Sequence, residues 1–167
     1  MNAPGQLTPA NAPIGALLAG GILLGRFFLE VQPYALIGAP KAQGDFPRTV
    51  WNKGLERVAD ALSDFDGLAN TRAMAEASSA LATKILALRL ADHDDWYLPS
   101  RGELLLAWSA RAALPEAERF DKDWYWSSTQ SADDSGFAWY QGFGYGNQDF
   151  WPKVYELMAR AVRRVSI

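Results

Sequence analysis

The sequence predicts an α+β domain, and three observations carry the prediction. One alanine-rich stretch has helical spacing, a second helix is announced by a capping pattern, and the C-terminal third switches to short, aromatic, glycine-punctuated segments. The first helix is expected from about Asn70 to Leu90. There Met74, Ala77, Leu81, Ile85 and Leu88 recur every three or four residues without glycine or proline, and Asn70 serves as the cap. The second follows the loop "ADHDDWYLP", where Ser100 and Glu103 have capping-box spacing and Leu104, Leu105 and Trp108 form an apolar stripe ending near Pro115. Before the helices, "GGILLGRFFLEVQPYALIGAP" reads as two strands turning at Gln32-Pro33, and "KAQGDFPRTVWN" reads as a loop carrying Trp51. After them, "YWSST", "FAWYQGF" and "LMARAVRRV" are the strand candidates. Residues 1–19, rich in Pro, Ala and Asn at their start, form a flexible or docking arm, and residues 20–167 form one domain.

Composition narrows the function classes. A chain of 167 residues with 49% hydrophobic and 21% charged residues has the material for one folded core. Its formal charge of −3 argues against a nucleic-acid partner, which would leave a basic footprint. The absence of cysteine removes disulfides, thiolate metal sites and cysteine chemistry. The run "IGALLAGGILLGRFFLE" is broken by glycines and Arg26, short of the roughly 20 apolar residues of a membrane span. No basic residue precedes Arg26 as a signal peptide would require, so the expectation is a protein neither inserted in a membrane nor exported by the classical route.

No catalytic constellation emerges. His93 stands alone among Asp92, Asp94 and Asp95 in what reads as a solvated connection. "GFGYGNQ" lacks the following helix and the lysine or serine of a phosphate cradle. Ser127 and Ser128 occur outside any nucleophile elbow, and Asp133 and Asp134, being adjacent, would face opposite ways in a strand. What stands out is the stretch from Trp139 to Tyr155. Tyr140, Tyr145, Phe150, Trp151 and Tyr155 are large rigid groups, while Gly142, Gly144, Asn147 and Asp149 supply shape and adaptable hydrogen bonding, as in an antibody-like paratope. Trp126, Trp139 and Phe143 are assigned to the core. Two other classes stay open: a calcium-dependent lectin using Asp133, Asp134, Asn147 and Asp149, with calcium as the only candidate cofactor, and a hydrolase using paired carboxylates.

The motifs "DDWYLPSRGEL", "WYWSSTQ", "AWYQGF" and "ELMARAVRR", with "YALIGAPKAQGDF" and "DGLANTRAMAEASSALA" upstream, resemble the variable proteins of diversity-generating retroelements, above all those of phages and prophages. The resemblance runs from about Gly20 to Arg164 and implies a C-type-lectin-like fold related to that of formylglycine-generating enzymes, without their cysteines or their activity. It implies a C-terminal variable region, about residues 126–164, rewritten by adenine-directed mutagenesis. The diversified positions would be Tyr140, Gly142, Gly144, Tyr145, Asn147, Asp149, Phe150, Trp151, Val154 and Tyr155, with Pro152 and the upstream Asp133, Asp134 and Ser135 as further candidates. Each of the ten except Trp151 is reachable from an asparagine codon changed at its two adenines. The fixed positions would be Trp126, Ser127, Ser128, Thr129, Trp139, Phe143, Lys153 and the "ARAVRR" ending. The implied function is a non-enzymatic receptor-binding module on a phage tail or tail fibre, more than on a bacterial surface. It would recognise a host cell-surface protein or glycan and contact tail proteins through its N-terminal arm. A homo-oligomer such as a trimer would add avidity.

Overall fold

The computed structural model describes residues 5–167; residues 1–4, the start of the expected arm, lie outside the described residues. The fold opens with a four-stranded antiparallel sheet in the order β1-β2-β3-β9, made of β1 (Leu17–Leu18), β2 (Gly21–Leu29), β3 (Gln32–Gly38) and β9 (Val162–Ser166). Ahead of it, residues 8–12 form a turn in which Ala12 N–H donates to Thr8 O at 2.9 Å. The Arg26 guanidinium holds that turn against β2 by donating to Pro9 O at 2.9 Å and Ala12 O at 2.6 Å. The hairpin turns at Glu30 and Val31, not at Gln32-Pro33: Pro33 sits inside β3 opposite Phe28. Glu30 takes the left-handed conformation (φ 55°), a choice its residue type does not advertise. Both faces of β2 are buried, with Leu23 against Ala35 and Ile37 on one and Ile22 and Leu24 against Leu36 on the other, and its register with β3 shifts between Leu23 and Gly25.

The expected loop at 41–52 contains structure of its own: a helical turn α1 (Lys41–Gly44) and a strand β4 (Asp45–Val50). The expected long helix is two, α2 (Gly67–Glu76) and α3 (Ala80–Leu86). The break falls at Ser78, whose φ of 66° leaves the right-handed helix. Ser79 then caps α3, its Oγ accepting from Ala82 N–H and donating to Trp51 O at 2.7 Å. The cap of α2 is Asp66, which accepts from Ala69 N–H; Asn70 lies buried within the helix and pairs with the backbone of Ser63 through both ends of its amide. The fourth helix, α4 (Arg101–Ala110), has the expected capping box between Ser100 and Glu103 and passes into a 3₁₀ turn before Pro115. Among the described residues no helix is long and apolar enough to cross a membrane.

The second sheet has the order β4-β8-β5-β6-β7, with β5 (Trp124–Gln130), β6 (Phe137–Gly142), β7 (Gln148–Pro152) and β8 (Glu156–Arg160). All its pairings are antiparallel except a single parallel contact of Tyr125 with Met158. The segment read as one C-terminal strand is split at Ala161: β8 belongs to the second sheet and β9 to the first. Ala161 N–H donates to Gly44 O at 3.0 Å, and its carbonyl accepts from Ala39 N–H at 2.9 Å. One core lies between α2, α3 and the second sheet, around Trp51, Trp96 and Trp126; a second joins α4 to the first sheet and to Tyr125 and Phe143. Helices pack against two mainly antiparallel sheets, and the two ends of the fold meet where β9 pairs with β3, so the α+β architecture is C-type-lectin-like.

Candidate recognition surface

The frame that holds the C-terminal segment is built from buried polar groups. The Ser127–Thr129 run of β5 is fully paired. Ser127 O accepts from Trp51 Nε1–H at 2.8 Å, Ser127 Oγ donates to Trp139 O at 2.7 Å, and Thr129 Oγ1 donates to Ser63 O at 2.8 Å and accepts from Arg101 N–H at 3.0 Å. These hydroxyls hold backbone, which is why small β-branched or hydroxyl side chains replace apolar ones in the middle of a buried strand. Next to them, Gln130 accepts from Val58 N–H and donates to Val58 O, while its Oε1 also accepts from Lys153 Nζ at 2.9 Å. The Lys153 ammonium donates to Glu56 O at 3.0 Å and lies 4.5 Å from the centre of the Trp51 ring; burial, reinforced by Arg57, lowers its pKa to about 8.

The three arginines of "ARAVRR" clamp three separate elements. Arg160, 1% exposed, donates to Ala39 O, Glu118 O and the Glu118 carboxylate, and stands 3.5 Å from Asp45. Burial outweighs that cation and lifts the Asp45 carboxyl to about 6. Arg163 forms a bidentate pair with Asp95 at 2.6 and 2.9 Å, which ties the loop before Trp96 to β9. Arg164 donates to Asp66, the α2 cap, at 2.8 Å. Glu103, buried at the start of α4, accepts from Tyr97 Oη–H at 2.5 Å and Ser100 N–H at 2.7 Å. Desolvation raises its pKa to about 7 and pushes that of Tyr97 well above the usual phenol range.

On this frame the β6–β7 hairpin and the turn into β8 carry the residues singled out in the sequence. Gly144 and Tyr145 form the tip; Tyr145 is 95% exposed, and a side chain added at Gly144 would meet nothing within 4 Å. Asn147, Asp149, Phe150, Trp151, Val154 and Tyr155 are exposed or half-buried along the edge strand and the turn that follows it. Gly146, which the diversified set omits, has φ +81° and lies against the Trp108 ring, so it belongs to the frame.

Two of the ten expected display positions are not displayed. Tyr140 is 4% exposed and sits in the core with Trp126, its ring stacked on Trp124 at 4.6 Å. Strand period explains this: Tyr140 is directly opposite Trp126 on β5 and therefore shares its inward face. Gly142 is buried opposite Trp124, and a Cβ there would come within 2.5 Å of Asn147 Oδ1. Conversely, Trp139, assigned to the core, is half-buried, with Arg101 3.6 Å over its ring and Phe150 edge-on at 5.3 Å. Trp126 and Phe143 are in the core as expected.

The display is thus an edge with two sides. Phe150 pairs with Trp139 on one side of the sheet, and Trp151 faces the side of Tyr140 and Trp124. Trp124, 37% exposed, lies on that side too and precedes the expected variable region; the Trp-x-Trp alternation puts it on the same side of β5 as Trp126.

The acids considered for calcium do not converge. Asp133 and Asp134 lie in the β5–β6 loop and Asn147 at the opposite end of β6, a six-residue strand of roughly 20 Å at ~3.3 Å per residue. Asp134 Oδ1 accepts from Gly136 N–H at 2.9 Å, and Asp149 Oδ1 from Phe150 N–H at 2.8 Å. Among the described residues no three His, Cys, Asp or Glu side chains are grouped to hold a metal.

A comparison with curated proteins finds no match. A family model described as the Lcl C-terminal domain matches residues 47–163, from β4 through the first residues of β9 and including the whole display edge. That match bears out the resemblance to the variable proteins of diversity-generating retroelements, whose ligand-binding part this region is. With about 70% of its length inside the match, the protein belongs to the Lcl C-terminal domain family.

Proposed function

We propose that the protein is the receptor-binding module of a phage tail or tail fibre and that it binds, without catalysis, a host cell-surface molecule through the edge formed by the β6–β7 hairpin and the β7–β8 turn. One observation carries the reading: the positions expected to vary are mostly exposed and make few framework contacts, whereas the positions expected to stay constant are mostly buried and tied to one another. Gly144 and Tyr145 can change with little consequence for folding; Ser127, Lys153 and Arg160 cannot. A protein target is favoured over a glycan by the aromatic content of the edge, since Tyr and Trp supply contact area at low entropic cost. In this reading the N-terminal arm contacts tail proteins, and several copies, as in a trimer, raise avidity.

The test is a variant with Tyr145, Phe150, Trp151 and Tyr155 all replaced by alanine, compared with the parent by thermal unfolding and by binding to intact cells of candidate host strains. The expected result is a melting temperature within a few degrees of the parent and loss of cell binding. A collapse of melting would assign these aromatics to the fold and sink the display reading.

A further inference from the structure

We infer that Trp124, which precedes the diversified segment, is a fixed anchor of the recognition edge, and that with Trp151, Tyr155 and Asp149 it forms a notch for a cationic side chain of a protein target. The inference rests on the display reading above and adds to it the chemistry of the ligand.

The placement of Trp124 follows from its neighbours. Its cross-strand partner is Gly142, whose open side is taken by the Asn147 side chain, and its indole lies on the Tyr140 ring, nearly parallel to it at 16°. Tyr140 is therefore a positioning residue: buried itself, it sets the tilt of an exposed tryptophan. A change at this diversified but buried position would alter recognition through Trp124.

The notch has aromatic walls and one charge. Trp151 meets Trp124 at 72° with centroids 5.5 Å apart, and Tyr155 meets Trp151 at 66° and 5.9 Å. Asp149 is directly opposite Tyr140 and lies two residues from Trp151, so its side chain emerges on the same side of the sheet. One of its oxygens accepts from Phe150 N–H, and among the described residues no lysine or arginine forms an ion pair with it. Aromatic faces attract cations through their quadrupole, and an unpaired carboxylate beside them adds a full opposite charge. Arginine or lysine on a protein surface fits this combination; an acidic glycan or peptide does not.

The experiment uses the full-length protein, labelled with ¹⁵N, and two short Gly/Ser peptides, one carrying two arginines and the other two glutamates. Indole N–H resonances are followed during titration, with those of the buried Trp51, Trp96 and Trp126 as internal references for intact folding. The expected result is saturable movement of the Trp124 and Trp151 signals with the arginine peptide alone. Affinity should fall at least five-fold in Trp124→Ala and about three-fold in Asp149→Asn. Tyr140→Ala should weaken binding, and Tyr140→Phe, which keeps the stacked ring, should restore it. Equal binding of both peptides, or unchanged affinity in Trp124→Ala with the reference signals in place, would overturn the inference. Cell binding separates the two readings. If the quadruple alanine variant loses it and Trp124→Ala retains it, the display edge stands and the anchor falls; if the arginine peptide binds as expected and no cells are bound, only the display reading falls.

Discussion

Gly144 and Gly146 lie two residues apart in the same hairpin loop, and they should respond to the same substitution in opposite ways. At Gly146 the backbone has φ +81°, and an added Cβ would come 2.5–2.8 Å from Cζ2, Cε2 and Nε1 of Trp108. The left-handed conformation costs an alanine about 1–2 kcal/mol, and forcing a methyl against a packed indole costs about 1–3 kcal/mol more. The expected loss for Gly146→Ala is therefore about 2–5 kcal/mol, which in a domain of this size lowers Tm by roughly 4–20 °C. The indole has little room to yield, since Arg111 lies 3.7 Å over its ring and Phe143 packs against it edge-on at 5.9 Å. At Gly144 an added Cβ meets nothing within 4 Å, and the expected change is within about 0.5 kcal/mol. Thermal unfolding of both variants beside the parent is the assay. If Gly146→Ala melts within about 2 °C of the parent, or if Gly144→Ala loses as much as Gly146→Ala, the division of this loop into frame and display is refuted.

Two further outcomes follow from the buried charges. Glu103 has its pKa raised by burial to about 7 in the folded protein, from 4.5, so its contribution to stability is fully present below pH 4.5 and is lost as pH rises to about 7. The loss is at most about 3 kcal/mol. Urea unfolding at pH 5 and pH 8 should show it, and Glu103→Gln should reduce that difference to the part that Asp45, raised to about 6, contributes; a variant that keeps the parent's full difference would place the titration elsewhere. Arg160→Met should destabilise by about 3–5 kcal/mol, because it leaves the Asp45 and Glu118 carboxylates without the cation between them and the Ala39 carbonyl without its donor. A loss under about 1 kcal/mol, from the urea midpoint at unchanged slope, would show that water replaces the guanidinium there.

Much of the architecture was written in local signals. The capping box at Ser100 and Glu103 is a pattern of four residues whose hydrogen bonds close within the same turn, and the structure shows both of them. The strands at "YWSST" and "FAWYQGF" were legible because short aromatic-rich runs punctuated by glycine favour strands joined by turns. The break between α2 and α3 was missed for a different reason. Alanine-rich spacing runs smoothly through Ser78 and Ser79, and what stops the helix is the carbonyl of Trp51, 28 residues away, which takes the Ser79 hydroxyl. The split of "LMARAVRRV" at Ala161 has the same cause, since the backbones of Ala39 and Gly44 determine which sheet each half joins.

For the candidate site, the sequence by itself determined which stretch concentrates aromatics and glycines: the run from Tyr140 to Tyr155 lies on β6, β7 and the turn into β8. Only the tertiary structure decided which of them face solvent. A strand residue's side is set by the side its partner takes, and Tyr140 points inward because β5 brings Trp126 opposite it. Tyr140 in turn stacks on Trp124, so a residue outside the expected variable span lies 37% exposed beside Trp151. Period and composition are properties of one segment, whereas burial and facing belong to pairs of segments that meet only after folding.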